Sequence, residues 1–260
     1  MRTRYGFIIC LLCVLLIGPG CGYRLPETRY ENERVELLAD EGPGRAERLL
    51  GLADEQIEAV SEVLGVSPPD VSLSIILFDN RGDMARYLAE RCPQRVRNRA
   101  ACCEISGKFV ITVWGNPEND RVRLDLRHEL THYVMASHFR DIPPWIDEGL
   151  AVYCEVSPPG RPRGKRLSRI DEDDINVERL EELLMKTRKE PLTADEYALS
   201  WLLVHYLLDE SPGGSDAVHR YLTEIRDMEG KEEKRKVFRE CFGSAVEEMA
   251  PDLREYLSTM

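Results

Sequence analysis

Two histidines and a glutamate in the run His128-Glu129-Leu130-Thr131-His132 have the residue types and spacing of a metal-dependent hydrolytic site. On an α-helix, residues four apart share one face and lie about 6 Å apart along the axis, so both imidazoles can hold one cation. Glu129 is rotated about 100° from His128, which suits it to reach a water at the metal rather than the metal itself. The run therefore predicts a zinc site with an adjacent general base.

A catalytic zinc ion usually has three protein ligands, so a third must lie elsewhere. His138 has the spacing of the third histidine in the metzincin pattern, but Met135 stands where that pattern has a helix-breaking glycine. In a continuous helix His138 would lie about 15 Å along the axis from His128, so we interpret it as a helix-end residue. Asp141 follows in the next loop and is interpreted as a turn residue.

A third candidate ligand, Glu148, lies in a second predicted helix. The two prolines of Pro143-Pro144-Trp145-Ile146-Asp147-Glu148-Gly149-Leu150-Ala151 end the preceding segment, and the apolar spacing after them is helical. This stretch resembles the gluzincin (peptidase MA-like) superfamily, in which HExxH is followed on a second helix by a glutamate in a Trp-x-x-Glu-Gly-x-Ala setting. The resemblance implies a compact zinc metallopeptidase that holds one Zn²⁺ through His128, His132 and Glu148. The alternatives are a helix-start carboxylate at Glu148 and histidines that only decorate a partly buried helix.

Further along, the segment from Tyr197 to Leu207 predicts a helix with a strong apolar face. The resemblance implies that Tyr197 donates a hydrogen bond to the oxyanion during amide hydrolysis. The alternative is a tyrosine at the start of the helix that packs on the core. His205 is another candidate donor, but on this apolar helix we interpret it as a core residue.

The implied reaction is hydrolysis of peptide bonds, with Glu129 as catalytic base and Tyr197 as oxyanion donor. Two other functions stay open. One is an exported module that keeps the fold and the metal but only binds a partner, and the other is a zinc hydrolase of a non-peptide amide. The intact Glu129 favours catalysis.

The segment Gly107–Trp114 is rich in β-branched and aromatic residues and predicts a strand. In the gluzincin family an edge strand precedes the metal helix and pairs with extended peptide substrate, so the resemblance implies that role here. An ordinary sheet strand is the alternative.

The N-terminus predicts export. Arg2 and Arg4 precede an apolar run from Phe7 to Ile17, too short to span a bilayer, so residues 1–21 are predicted to be a signal peptide. The end of the run, Ile17-Gly18-Pro19-Gly20-Cys21, resembles a bacterial lipoprotein signal, which implies a lipid on Cys21 and anchorage to a membrane. Gly18 departs from the usual leucine, so simple secretion stays open. The expected location is periplasmic or cell-surface.

The cysteines fit an oxidising compartment. Of 8 cysteines, five lie after Cys21, which leaves one unmatched. The sequence allows Cys92 to bridge to Cys102 or Cys103, and Cys154 to Cys241.

The predicted fold class is α+β, with a small mixed sheet packed beside the metal helix and a helical C-terminal half. Residues 22–44 are polar and are interpreted as a tether or lead-in, and 45–260 as a single domain. The supporting elements are a helix from about Arg45 to Leu64, a strand Val71–Phe78, a helix Asp83–Glu90 and helices beyond Asn176.

The net charge of -12 argues against nucleic acid as a partner. The gluzincin resemblance implies a peptide or protein substrate instead. Two basic stretches interrupt this acidic chain, Arg91–Arg99 and Ser157–Arg169. The second is interpreted as a solvated loop. For the second, a rim that selects acidic substrates or meets anionic polymers is the alternative.

Overall fold

The computed structural model of the chain describes residues 22–161, 168–226, 228 and 230–260. These residues have the α+β fold that the sequence predicts. Within this part of the chain, no helix is long and apolar enough to cross a membrane. The predicted signal peptide and Cys21 lie outside the described residues. Contacts divide the chain into two compact units, one of residues up to 58 with 69–133, the other of residues 59–68 with 134–260.

The first unit is built on a five-stranded mixed sheet. Its strands are β1 (Arg29–Glu31), β2 (Val35–Ala39), β3 (Leu73–Phe78), β4 (Ala100–Ile105) and β5 (Lys108–Trp114). The strand order is β1-β2-β3-β5-β4, with β2 and β5 parallel to β3. The two edge strands, β1 and β4, are antiparallel to their neighbours. The predicted strand over Gly107–Trp114 is confirmed, but its edge position is wrong, because β5 pairs with β3 on one side and β4 on the other.

The helices that belong wholly or partly to this unit are α1 (Pro43–Leu64), α2 (Arg81–Arg91) and α3 (Asp120–His138). Both helices that the sequence predicts before the HExxH run are confirmed, as α1 and α2. On one face of the sheet, Phe78 of β3 and Val110 of β5 form a core cluster with Met84 and Leu88 of α2. Alternate residues of a strand point to opposite faces. Accordingly Phe109, next to Val110, packs edge-on against Tyr133 of α3, with the ring centroids 5.3 Å apart.

The segment 22–44, interpreted from sequence as a tether or lead-in, contains β1 and β2 of the sheet instead. Val35, Leu37 and Ala39 alternate along β2 and are buried. Before β1, the ring of Tyr23 packs edge-on against Tyr87 of α2, with centroids 5.6 Å apart. The polar composition of this segment concealed a short alternating strand, and the folded structure begins well before residue 45.

A disulfide joins Cys92, just after α2, to Cys103 of β4. It realises one of the two pairings that the sequence allows for Cys92. The pairing of Cys154 with Cys241, which the sequence also allows, is not formed, since both are buried thiols. Burial raises the pKa of the Cys154 thiol to about 12. These two cysteines therefore serve as small apolar core residues.

The second unit is helical, as predicted for the C-terminal half. After the end of α3 come α4 (Pro144–Cys154), α5 (Val177–Met185), α6 (Ala194–Asp209), α7 (Gly214–Glu224), α8 (Lys231–Phe242) and α9 (Val246–Thr259). Its core contains an aromatic cluster in which Trp145 of α4 contacts Tyr221 of α7 and Phe238 of α8, with centroids 5.7 and 6.2 Å away.

Candidate metal centre

Helix α3 carries both histidines of the HExxH run on one face. Leu126, Leu130 and Val134 of the same helix are buried, while His128 and His132 are only partly buried. The two imidazole rings are 4.8 Å apart at 80°, and their Nε2 atoms are 3.2 Å apart. Two nitrogens at the usual zinc distance and a tetrahedral angle would be about 3.3 Å apart. The pair therefore has the spacing of two ligands of one ion.

Glu148 completes the group. One ligand atom from each of His128, His132 and Glu148 lies within 4.8 Å of the others. Two imidazole nitrogens and one carboxylate oxygen form a donor set that suits zinc and leaves a coordination position open. The three residues could thus hold one metal ion.

Helix α4 sets the position of Glu148. Pro143 precedes the helix and Pro144 occupies its first turn, where a missing N–H costs nothing. Trp145 and Ile146, which precede Glu148 in the sequence, are fully buried, and so is Leu150, which follows it. These apolar anchors fix the rotation of α4 about its axis, which leaves the Glu148 side chain half-buried.

A close helix contact fixes the position of α4 against α6. A Cβ built on Gly149 would be 2.6 Å from the carbonyl oxygen of Ser200 and 2.7 Å from the side chain of Val204. Only glycine allows the two backbones to approach so closely. The glycine beside the third candidate ligand is therefore required by packing.

Glu129 lies beside the edge strand of the sheet. Its carboxylate is buried and accepts a hydrogen bond from the backbone N–H of Cys102 in β4, at 2.7 Å. Because β5 lies along the other side of β4, this N–H points to the outer edge. Alternate residues of a strand share a direction, so the main-chain groups of Ala100 and Glu104 also face outward. The candidate base is thus in direct contact with the outer edge of β4.

Tyr133 ties helix α3 to the sheet. Its hydroxyl donates to the carbonyl of Val71, just before β3, at 2.6 Å. Burial raises the pKa of Tyr133 to about 12, so the hydroxyl keeps its proton at any physiological pH. This anchor follows directly after His132 and restrains the rotation of α3.

The two alternative ligands have the roles predicted for them. His138 is the last residue of α3 and is exposed, and it is not part of the candidate metal group. Asp141 is an exposed loop residue with a positive φ of 53°, a backbone conformation typical of turns. Both interpretations are confirmed.

Tyr197 lies in the first turns of α6. The helix is capped by Thr193, whose side chain accepts from the N–H of Glu196 while the Glu196 carboxylate accepts from the N–H of Thr193. Tyr197 is half-buried there. Its role as an oxyanion donor stays a prediction.

His205, the other candidate donor, is a buried core residue as predicted. Its Nε2 is 2.6 Å from the carbonyl oxygen of Gly160, and its Nδ1 is 2.8 Å from the hydroxyl of Tyr256. Asp209 lies 3.2 Å from the same Nδ1. Both ring nitrogens are thus used to join α6 to α9 and to the segment after α4, and the oxyanion role for His205 is not supported.

The contact of Glu129 with β4 was not predicted from the sequence. The donor is a main-chain N–H, which has no sequence signature, and the strand Ala100–Ile105 contains alanine and cysteine pairs rather than strong β-formers. The useful signal was the turn at Ser106 and Gly107, both with positive φ, which makes Ala100–Ile105 the natural hairpin partner of β5.

Searches with this chain match no protein-family model and no curated protein sequence.

Proposed function

We propose that the protein is an exported zinc-dependent peptidase of the gluzincin type. The observation that carries the proposal is the group of His128, His132 and Glu148 within mutual reach of one ion, with Glu129 on the same helix. A bound zinc ion polarises a carbonyl and lowers the pKa of a water molecule toward neutrality. The lipoprotein-like run that ends at Cys21 supports an exported and membrane-anchored location.

Glu129 carries the proton in this reaction. Its carboxylate removes a proton from the attacking water, whose oxygen bonds to the scissile carbonyl carbon. The carbon–nitrogen bond then breaks, and Glu129 returns the proton to the leaving amine. Tyr197 steadies the oxyanion by donating its hydroxyl proton in a hydrogen bond.

The outer edge of β4 aligns the substrate. A peptide in extended conformation can pair with the outward main-chain groups of Ala100 and Glu104, which lie on either side of Cys102. The N–H of Cys102 lies 2.7 Å from the Glu129 carboxylate, so a peptide along this edge passes the base. Main-chain pairing tolerates many side chains, which suits a peptidase. The edge strand assigned to this role is β4, in place of β5.

The substitution Glu129→Gln tests the proposal. Glutamine keeps an oxygen that accepts from the Cys102 N–H but cannot take up a proton, so hydrolysis of a peptide library should fall about 10²- to 10⁴-fold. Zinc content, measured by atomic emission on the same samples, should not change. The unaltered protein with a chelator serves as the metal-free control.

Two results would contradict this assignment. Unreduced hydrolysis by the zinc-loaded Glu129→Gln variant would remove Glu129 from the reaction. An unaltered protein that binds zinc but cleaves neither peptides nor casein would favour a binding module or a hydrolase of a non-peptide amide.

A further inference from the structure

A basic surface lies at the start of the edge strand β4. Four arginines occur from the last residue of α2 to the start of β4, with no acidic residue among them: Arg91, Arg95, Arg97 and Arg99. They stand out in a chain of net charge -12. The disulfide between Cys92 and Cys103 closes this segment into a loop attached to β4 itself.

Two of the four arginines are already engaged. Arg91 pairs with its neighbour Glu90 at 3.3 Å. The Arg99 side chain contacts Asp125 of α3 at 3.1 Å and lies over the ring of Trp114, 5.2 Å from its centroid. These contacts hold the loop in place and leave the charges of Arg91 and Arg99 partly neutralised.

Arg95 and Arg97 differ from them. Both are exposed, and neither has an ion pair with any residue that the structure describes. Val96 between them packs against the core cluster under α2, so its two neighbours are held outward. We call Arg95 and Arg97 the arginine pair. It offers two unneutralised guanidinium groups on a segment restrained by the disulfide and by Val96.

The arginine pair lies close to the candidate base along the strand. Arg97 is three residues before Ala100, and Ala100 is two residues before Cys102, whose N–H contacts Glu129. Five residues of chain span at most about 17 Å, the length of five residues of an extended peptide. Asp125, which holds Arg99, is also one helical turn from His128. A substrate side chain that contacts the arginine pair would therefore belong to a residue about two to five positions along the peptide from the bond cleaved beside Glu129.

We propose that the arginine pair selects peptide substrates that carry acidic side chains two to five residues from the cleaved bond. The proposal rests on the proposed peptidase function and adds the substrate class. Guanidinium groups recognise carboxylates through paired N–H donors, and among the residues that the structure describes no carboxylate pairs with Arg95 or Arg97. Glu104 is exposed at the other end of β4 and disfavours acidic substrate side chains there. The preference for acidic side chains is therefore confined to the end of β4 that lies nearer the arginine pair.

Peptide binding tests this directly. The zinc-loaded Glu129→Gln protein is titrated into fluorescently labelled nine-residue peptides that differ only in carrying two aspartates or two asparagines. Fluorescence anisotropy gives the affinity for each of the two peptides, first at about 20 mM and then at about 150 mM salt. Each exposed ion pair contributes little, so we expect the aspartate peptide to bind about three to ten times more tightly, and less so at the higher salt.

Two double variants test whether the arginine pair causes the preference for the aspartate peptide. In Arg95→Ala/Arg97→Ala the ratio of the two affinities should fall to about one. The matched control is Arg81→Ala/Arg239→Ala, which removes two exposed arginines that also have no ion pair with any described residue. The control should keep the ratio of the unaltered protein.

Three results decide between the proposals. Equal binding of the two peptides, or equal loss in the control variant, would overturn the acidic preference even if a neutral peptide is cleaved. A preference without any hydrolysis by the unaltered protein would keep the acid-selective site and overturn the peptidase assignment. Binding to vesicles that contain anionic lipid, lost in Arg95→Ala/Arg97→Ala and accompanied by no peptide preference, would assign the pair to a membrane surface instead.

Discussion

Each side chain of the candidate centre is held by a different physical constraint. The His128 and His132 rings are aligned by the helical repeat alone, which is why their Nε2 atoms lie only 3.2 Å apart. Glu148 depends on the buried anchors of another helix, and Glu129 on a main-chain donor of β4. Local spacing therefore produces half of the site, and tertiary packing the other half.

His205 shows how a histidine can be essential for structure without doing chemistry. Replacing it with phenylalanine leaves the Gly160 carbonyl and the Tyr256 hydroxyl without this partner, so we expect a loss of about 1 to 3 kcal/mol in the free energy of unfolding. Urea denaturation measures that loss, and zinc content should be unchanged.

The neighbouring Tyr206→Phe variant is the control for His205. It removes one hydrogen bond to Asp252 at 3.4 Å in an exposed position, and its stability should change by less than about 0.5 kcal/mol. A His205→Phe protein that keeps its stability and zinc content but loses turnover would contradict the structural role assigned to His205.

At the level of elements, the position of α4 depends on its contact with α6. In Gly149→Ala the new methyl group meets the Ser200 carbonyl at 2.6 Å, and one helix must shift. We expect a loss of about 1 to 3 kcal/mol in the free energy of unfolding, measured by thermal and urea denaturation.

Gly51→Ala on α1 is the matched control. A Cβ at Gly51 has no atom within 4 Å, and alanine is favoured over glycine inside a helix by about 0.5 to 1 kcal/mol. This variant should be as stable as the parent or more so. Equal tolerance of both alanines would show that the α4–α6 contact is looser than described.

The disulfide acts at the scale of the whole chain, because a cross-link restricts the unfolded ensemble as well as the native fold. The loop between Cys92 and Cys103 has a sequence separation of 11. In Cys92→Ala/Cys103→Ala we expect a loss of about 3 kcal/mol in the free energy of unfolding, measured by urea denaturation without reductant.

The Cys102→Ala variant separates the two pairings that the sequence allowed. It should keep the disulfide, as shown by thiol titration of the denatured protein and by peptide mass mapping. Loss of the disulfide in this variant would mean that Cys92 pairs with Cys102, and it would move the arginine pair relative to β4.

The helices, strands and site residues that could be predicted from the sequence are those with strong local sequence patterns. The long helices, β3 and β5 follow from apolar periodicity, and the HExxH pair from helical spacing. The strand edge was assigned wrongly because Ala100–Ile105 lacks β-branched residues before its last position. Segment 22–44 was assigned wrongly because its polar residues outnumber the alternating Val35, Leu37 and Ala39. In both cases the position of the strand depends on pairing with residues that are distant in the sequence.

The most direct test of the central claim is the zinc content per chain of the unaltered protein, Glu148→Ala and His138→Ala. The proposed centre predicts close to one zinc ion in the unaltered protein and in His138→Ala, and a large loss only in Glu148→Ala. Circular dichroism of the same samples shows whether Glu148→Ala remains folded. Zinc lost only from His138→Ala would contradict the ligand set, and no zinc in any folded sample would contradict the metal centre itself.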